Sequence, residues 1–264
     1  MRAKLFVAAA AALMLPGCGD GAAPEANAPT QYSASRYQQA VADIGRLDDV
    51  ESDAARLPAE LLAFAQIERG EVVGDYIMGG GYVTRLLAIA VGRQGKVYAF
   101  QPDEFIAFDP QYAADQDDTV RRYSDDNGNP VGVFPLRGPI ADPGWPEPLD
   151  AIVTVMNFHD LYLETMPEGT PGAVSRMLFD SLKPGGRLVV VDHLAVDGSG
   201  AAAANEVHRM DRNLAMTALA DAGFVLEAES NIYSRPDDPR TASVFDEGIR
   251  GRTDQFAWRL RKPE

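Results

Sequence analysis

Val72-Val73-Gly74-Asp75-Tyr76-Ile77-Met78-Gly79-Gly80-Gly81-Tyr82 reads as a buried strand, an acid near its end, a triple glycine and the start of a helix. From Val83 the apolar residues recur as Val83, Leu86, Leu87, Ala90 and Val91, at helical three- and four-residue steps. A strand that enters a helix through glycines is the nucleotide-binding turn of an α/β sheet. Glycines there adopt backbone angles closed to other residues and let a ligand approach the main chain. The helix start then offers N–H groups to a polar ligand. The bland alternative is a strand-to-helix turn with no ligand.

Two common ligand signatures do not fit. A dinucleotide turn, G-x-G-x-x-G aligned on Gly79 and Gly81, would need glycine where Thr84 stands. The Gly-Lys-Ser/Thr of a P-loop does not occur here. What remains is Asp75, followed four and six positions later by Gly79 and Gly81. This resembles motif I of the class I S-adenosylmethionine (SAM) methyltransferases, with Ile77 at the first glycine position.

Downstream, strands alternate with helices. The strands expected are Glu71–Tyr76, Lys96–Gln101, Val131–Leu136, Leu149–Met156, the apolar run up to His193, a sixth through about Asn231, and Phe256–Leu260. Leu149–Met156 is almost continuously apolar, as a strand covered on both faces should be. Leu182-Lys183-Pro184-Gly185-Gly186 ends a helix and reverses the chain into strand five. Asp211 suits an N-cap. Gly198–Ala204 reads as a flexible stretch, and Trp145 either covers a ligand beside a pocket or packs its proline-rich loop down. This order predicts an α/β, doubly wound, mostly parallel seven-stranded sheet. The helical composition of Ala34–Ala55 adds an N-terminal cap of one or two helices.

Ligands of open α/β sheets bind beyond the carboxyl ends of the strands. That rule gathers Asp75 and Gly79, Gly80 and Gly81 from strand one, Asn157, His159 and Asp160 from strand four, and Asp192 and His193 from strand five. The chain has only three histidines. The third, His208, opens the next connection. A histidine at this rim suits a general base or a substrate-positioning group, and a neighbouring carboxylate would orient it. His159 with Asp160 leads, then His193 and His208. Each also has a purely structural reading, as a bond within its own strand end. Nothing in the spacing is specific to a metal, and none is assigned.

Further segments carry a second resemblance. Asn157-Phe158-His159-Asp160, His208-Arg209-Met210-Asp211, Arg235-Pro236-Asp237-Asp238-Pro239-Arg240, Val244-Phe245-Asp246 and Ile249–Phe256 follow in this order. Together they resemble a bacterial group of SAM-dependent methyltransferases from about Val41 to the end. That group is also bulky before its glycines, as Ile77 is here. The resemblance implies the sheet order 3-2-1-4-5-7-6 and SAM as cofactor. SAM would lie along Asp75, Gly79–Gly81 and Asn157. An acid at the end of strand two would take the ribose hydroxyls; Gln101 stands there, with Glu104 within reach. The implied activity is methyl transfer to a small-molecule or protein nucleophile. Two other readings stand beside it: a ligand-binding or interaction domain without chemistry, and a metal-dependent hydrolase using the histidines. The arginines of the tail, Arg235, Arg240, Arg250 and Arg252, alternate with aspartates and suit ion pairs that pin it, or else one of them faces the pocket and binds a substrate carboxylate or phosphate.

The net charge of −15 over 264 residues disfavours a nucleic-acid partner, which needs clustered Lys and Arg. It disfavours adhesion to an anionic membrane surface for the same reason. The N-terminus has a different character. Arg2 and Lys4 precede an apolar run, Leu5–Leu15, too short to span a bilayer. Leu15-Pro16-Gly17-Cys18 then resembles a bacterial lipobox, and Cys18 is the single cysteine. The expectation is a signal peptide over residues 1–17, a tether over 18–33 and the folded domain over 34–264. Membrane attachment would be through lipidated Cys18 only, on the periplasmic face of a bacterial membrane; a plain signal peptide cleaved elsewhere would instead leave the protein in the periplasm.

Overall fold

The computed structural model describes residues 32–264. The expected signal peptide, the lipobox with Cys18 and nearly all of the tether lie outside the described residues. No helix among the described residues is long and apolar enough to cross a membrane.

The seven strands are β1 (Val72–Tyr76), β2 (Lys96–Pro102), β3 (Val133–Gly138), β4 (Leu149–Val155), β5 (Leu182–His193), β6 (Val225–Ser230) and β7 (Gln255–Arg261). They form one sheet in the order β3-β2-β1-β4-β5-β7-β6. Every neighbouring pair is parallel except β5 with β7 and β7 with β6. This is the expected order, with β7 turned back between β5 and β6.

The helices are α1 (Gln38–Val41), α2 (Val50–Arg56), α3 (Pro58–Ala65), α4 (Tyr82–Val91), α5 (Asp103–Phe108), α6 (Gln111–Arg122), α7 (Thr170–Ser181), α8 (Ala202–Val207) and α9 (Arg212–Ala222). They give the sheet two cores. Successive strand residues point to opposite faces, so Ala151 and Val153 of β4 join one core and Ile152 the other. In β5, Val189 and Val191 face the first core, Leu188 and Val190 the second. All seven are at most 1% exposed. That explains the unbroken apolar runs: neither face meets water.

Three details differ from the sequence reading. The small-residue stretch after Gly198 is not loose throughout, because Ala202–Val207 forms α8. Alanine is the best helix former, and Ala203 and Ala204 are buried. The cap over Ala34–Ala55 is four short segments, with 3-10 helices at Ala34–Tyr37 and Ile44–Asp49 besides α1 and α2. Pro184-Gly185-Gly186 lies inside β5, as an irregularity where the register with β4 shifts.

Trp145 does clamp its loop. Its ring meets Phe100 edge-on, with centroids 5.9 Å apart, and also Tyr98. A Cβ on Gly74 would fall 3.1 Å from the indole and 2.9 Å from Leu149 Cδ1, so a larger residue at that point of β1 would press on the Trp145 ring.

Candidate active site at the carboxyl edge of the sheet

The glycine turn is built from below. Gly81 has φ +81°, and a Cβ there would lie 2.3 Å from Thr119 Oγ1 and 2.7 Å from an Arg85 nitrogen. Arg85 Nη1 donates to the Gly80 carbonyl and to Thr119. Its other nitrogens form a buried two-pronged pair with Asp49 of the cap, at 2.9 and 2.5 Å. Beside it Asp53 accepts from Arg46 and from the Tyr82 hydroxyl. The cap is therefore bolted to the helix that carries the turn.

From above the turn is open. A Cβ on Gly79 would meet nothing within 4 Å, and one on Gly80 only Asp115, at 3.8 Å. Ile77, at the first glycine position, has φ +63°. The backbone thus keeps the angle that makes glycine usual there, which for a β-branched residue costs about 1–3 kcal/mol of strain. Met156 at the tip of β4 also has φ +63°. The Asn157 amide, expected to touch the cofactor, ties these tips together by donating to the Ile77 and Val155 carbonyls.

Asp75 was also expected to meet the cofactor. It is 2% exposed and accepts from the Thr84 hydroxyl at 2.5 Å. Its role is to hold the first turn of α4, and burial pushes its pKa up to about 7. Thr84, the residue that broke the dinucleotide pattern, is its partner. The Glu104 carboxylate accepts the Ile140 N–H and anchors the loop after β3. Gln101 differs from both. It is fully buried at the end of β2, and neither polar atom of its side chain has a partner among the described residues.

The second half of the site is a histidine cluster. Asp192, fully buried in β5, accepts the backbone N–H of His159 at 2.7 Å and that of His193 at 2.7 Å. Its Oδ1 also lies 2.9 Å from His159 Nδ1. A carboxylate only accepts, so Nδ1 carries the proton. His159 Nε2 then points to Asp160 Oδ1, at 3.4 Å. The ring centres of His193 and His208 lie 6.1 and 5.7 Å from that of His159. His208 sits in the left-handed region at the end of α8, under the ring of Phe245, at 4.8 Å.

Electrostatics divides the three imidazoles. Burial alone would lower the pKa of His159, but Asp192 and then Asp160 outweigh it and raise it to about 9. At neutral pH His159 is a charged donor, which suits positioning and not proton abstraction. Burial lowers His193 to about 4, and its Nδ1 pairs with Thr253. Burial and the His159 charge also lower His208, so both are neutral. Burial raises Asp160 to about 6 against the pull of His159. Burial, and then the negative charge of nearby Asp160, raise the pKa of Tyr112 of α6.

The tail pins this arrangement. Asp238 and Arg209 form a two-pronged pair at 2.8 and 3.1 Å, with both side chains fully buried. Arg240 pairs with Asp254 at 2.7 Å. Arg250 and Arg252 stay exposed. The ion-pair reading of the tail thus holds for Arg240, and its strongest cation is Arg209, directly after His208. Residues that sequence reasoning missed include Arg85, Asp49, Tyr112 and Thr253. A buried Arg or Asp carries no periodic signal of its own, and only the fold shows its partner.

Two clefts elsewhere, of about 320 Å3 beside Tyr162 and Leu214 and about 730 Å3 beside Arg69 and Arg122, include no histidine in their walls.

No family model matches this sequence, and no curated protein matches it. The fold does match solved structures. A SAM-dependent methyltransferase from Aquifex aeolicus aligns with a TM-score of 0.51 at 19% identity, over 87% of this chain and 98% of that one. The [4+2]-cyclase SpnF aligns with a TM-score of 0.52 at 15% identity, over 80% and 81% of the two chains. The chain has the class I methyltransferase fold.

Proposed function

We propose that the protein transfers a methyl group from SAM to a small-molecule or protein nucleophile held at the histidine cluster. Gln101 carries this reading. Leaving a buried amide unpaired costs about 1–3 kcal/mol. An orphaned amide at the end of β2, beside a glycine turn open on its outer side, is explained by a polar ligand that supplies the partners. A ribose, with two hydroxyls that donate and accept, fits both Gln101 atoms. When bound, SAM supplies an electrophilic methyl on a sulfonium. Transfer forms a bond from the nucleophile's lone pair to that carbon, and the carbon–sulfur pair leaves with sulfur.

The chain's own work is alignment, which removes much of the entropic part of the barrier. Asn157 fixes the tip of β4 against β1, so the cluster and the glycine turn keep one spacing. The charged His159 donor, with Asp160, orients the acceptor. The test is a calorimetric titration of SAM into the full chain and into Gly80→Val. Gly80 is the position to fill, since a Cβ there meets only Asp115. Micromolar binding that Gly80→Val abolishes at an unchanged melting temperature supports the reading. No binding at millimolar SAM overturns it.

The reading includes export and attachment to a bacterial membrane through a lipid on Cys18. It is supported by Arg2 and Lys4 before the apolar run and by the placement of the single cysteine. Incorporation of labelled palmitate, lost in Cys18→Ala, is the expected result; equal labelling of both chains would sink it.

A further inference from the structure

We propose that His159, Asp160 and His208 hold one divalent transition-metal cation at the acceptor side of the site. One donor atom from each residue lies within 4.8 Å of the other two. A cation takes nitrogen and carboxylate oxygen at about 2.0–2.2 Å, which sets two donors on one tetrahedral ion roughly 3.4 Å apart. His159 Nε2 and Asp160 Oδ1 already stand at 3.4 Å.

Three further observations point the same way. First, the far nitrogen of His159 is committed to Asp192 Oδ1, at 2.9 Å. That carboxylate–histidine arrangement orients an imidazole ligand; Nε2 gives up its proton when the cation binds, and the ion takes over the positioning role that the charged ring has without it. Second, two carboxylates converge on this one ring: Asp192 Oδ1 lies 2.9 Å from Nδ1 and Asp160 Oδ1 3.4 Å from Nε2, the first side chain fully buried and the second largely so. Third, His208 is placed to close on the ion. It ends α8 in a left-handed conformation, only partly buried, with Phe245 packed on its ring.

Two histidines and one carboxylate are the borderline donor set of zinc, iron(II), cobalt(II) and manganese(II), not of calcium or magnesium. Three protein ligands leave a coordination position open, the pattern of a catalytic site and not of a structural one. The ligand for that position is an acceptor oxygen, a hydroxyl or carboxylate on the molecule to be methylated. This last assignment rests on the proposed methyl transfer. Coordination lowers the pKa of a bound hydroxyl. The proton then leaves to solvent, the oxygen–methyl bond forms, and the carbon–sulfur pair stays on sulfur.

The experiment is a titration of the EDTA-stripped full chain with Zn2+ by calorimetry, and with Co2+ by visible absorption, without SAM present. One ion per chain below about 10 µM is expected. His208→Ala and Asp160→Asn should each weaken it at least tenfold, and Asp192→Asn about 10- to 100-fold, the usual effect of losing a group behind a ligand. His208→Ala removes a partly exposed side chain, so retained folding is expected and circular dichroism checks it. Absence of stoichiometric binding, or binding untouched by both His208→Ala and Asp160→Asn, overturns the inference. The SAM titration is independent: a chain that binds the cation but no SAM at millimolar concentration keeps the metal site and loses the methyl-transfer reading, whereas a chain that binds SAM but no cation does the reverse.

Discussion

Arg209 and Asp238 face each other through two hydrogen bonds, at 2.8 and 3.1 Å, with neither side chain exposed. Arg209 also donates to the Ala242 and Leu194 carbonyls. The Asp238 carboxylate in turn accepts the Asp254 N–H. One buried pair therefore fastens the connection between β6 and β7 to the turn that bears His208. Removing one partner of such a pair strands a charge, at a cost of about 3–5 kcal/mol. Asp238→Asn should lose that much in chemical denaturation, and Arg209→Met with Asp238→Leu should recover most of it. A single variant within 1 kcal/mol of the parent would show that water reaches the pair.

Asp49 does for the glycine turn what Asp238 does for the tail. Asp49→Ala leaves the Arg85 guanidinium buried beneath Gly80 without its carboxylate. The expected loss is again about 3–5 kcal/mol, now with a weaker hold on SAM, because Arg85 also supports the Gly80 carbonyl. Parallel denaturation and SAM titration of this variant check both effects. A stability loss with unchanged SAM affinity would separate the cap from the site.

Gln101 offers a cleaner separation of binding from stability. Gln101→Met keeps the length of the side chain and removes both unpaired polar atoms. The ligand-free protein should be as stable or up to about 2 kcal/mol more so, since a buried unsatisfied group is gone. Affinity for SAM should fall about tenfold, the equivalent of one hydrogen bond at 1.4 kcal/mol per decade. A variant that binds SAM like the parent would remove Gln101 from the site.

Asp75 predicts a pH dependence of stability. Burial raises its carboxyl from 3.8 to about 7. The folded state therefore holds a proton that the unfolded state releases between those values, so this group's contribution falls as pH rises from about 4 to about 7 and stays low above. Asp75→Asn keeps an oxygen for the Thr84 hydroxyl and has nothing to ionise. The difference in melting temperature should move in favour of Asp75→Asn on going from pH 5 to pH 8. Parallel melting curves at the two values would contradict the burial argument.

The sheet was legible because its signals are local and periodic. Val72–Tyr76, the steps from Val83 to Val91, and the apolar runs of β4 and β5 each repeat a pattern that burial demands. Even the odd Ile77 was legible as a position, and the structure adds that it keeps the glycine backbone angle. The site was legible only as a rim. Asp75, Glu104 and Asn157 stand where the resemblance puts cofactor contacts, and each also has a hydrogen bond within the chain, to Thr84, Ile140 or a strand tip. Sequence position says which strand end a residue occupies; it does not say which neighbour claims its hydrogen bonds. His159 shows the same limit. Its neighbour Asp160 was visible, but the carboxylate that sets its charge, Asp192, comes from another strand.

The strand order has a consequence for how the chain becomes a protein. β7, Gln255–Arg261, is the last strand along the sequence but lies inside the sheet, between β5 and β6. Its Trp258, 1% exposed, fills the core. A chain cut before Gln255 leaves β5 with an open edge and β6 with no strand to pair. Such a fragment presents unpaired backbone and bare apolar surface, the ingredients of edge-to-edge aggregation. The sheet can close only after β7 has been made.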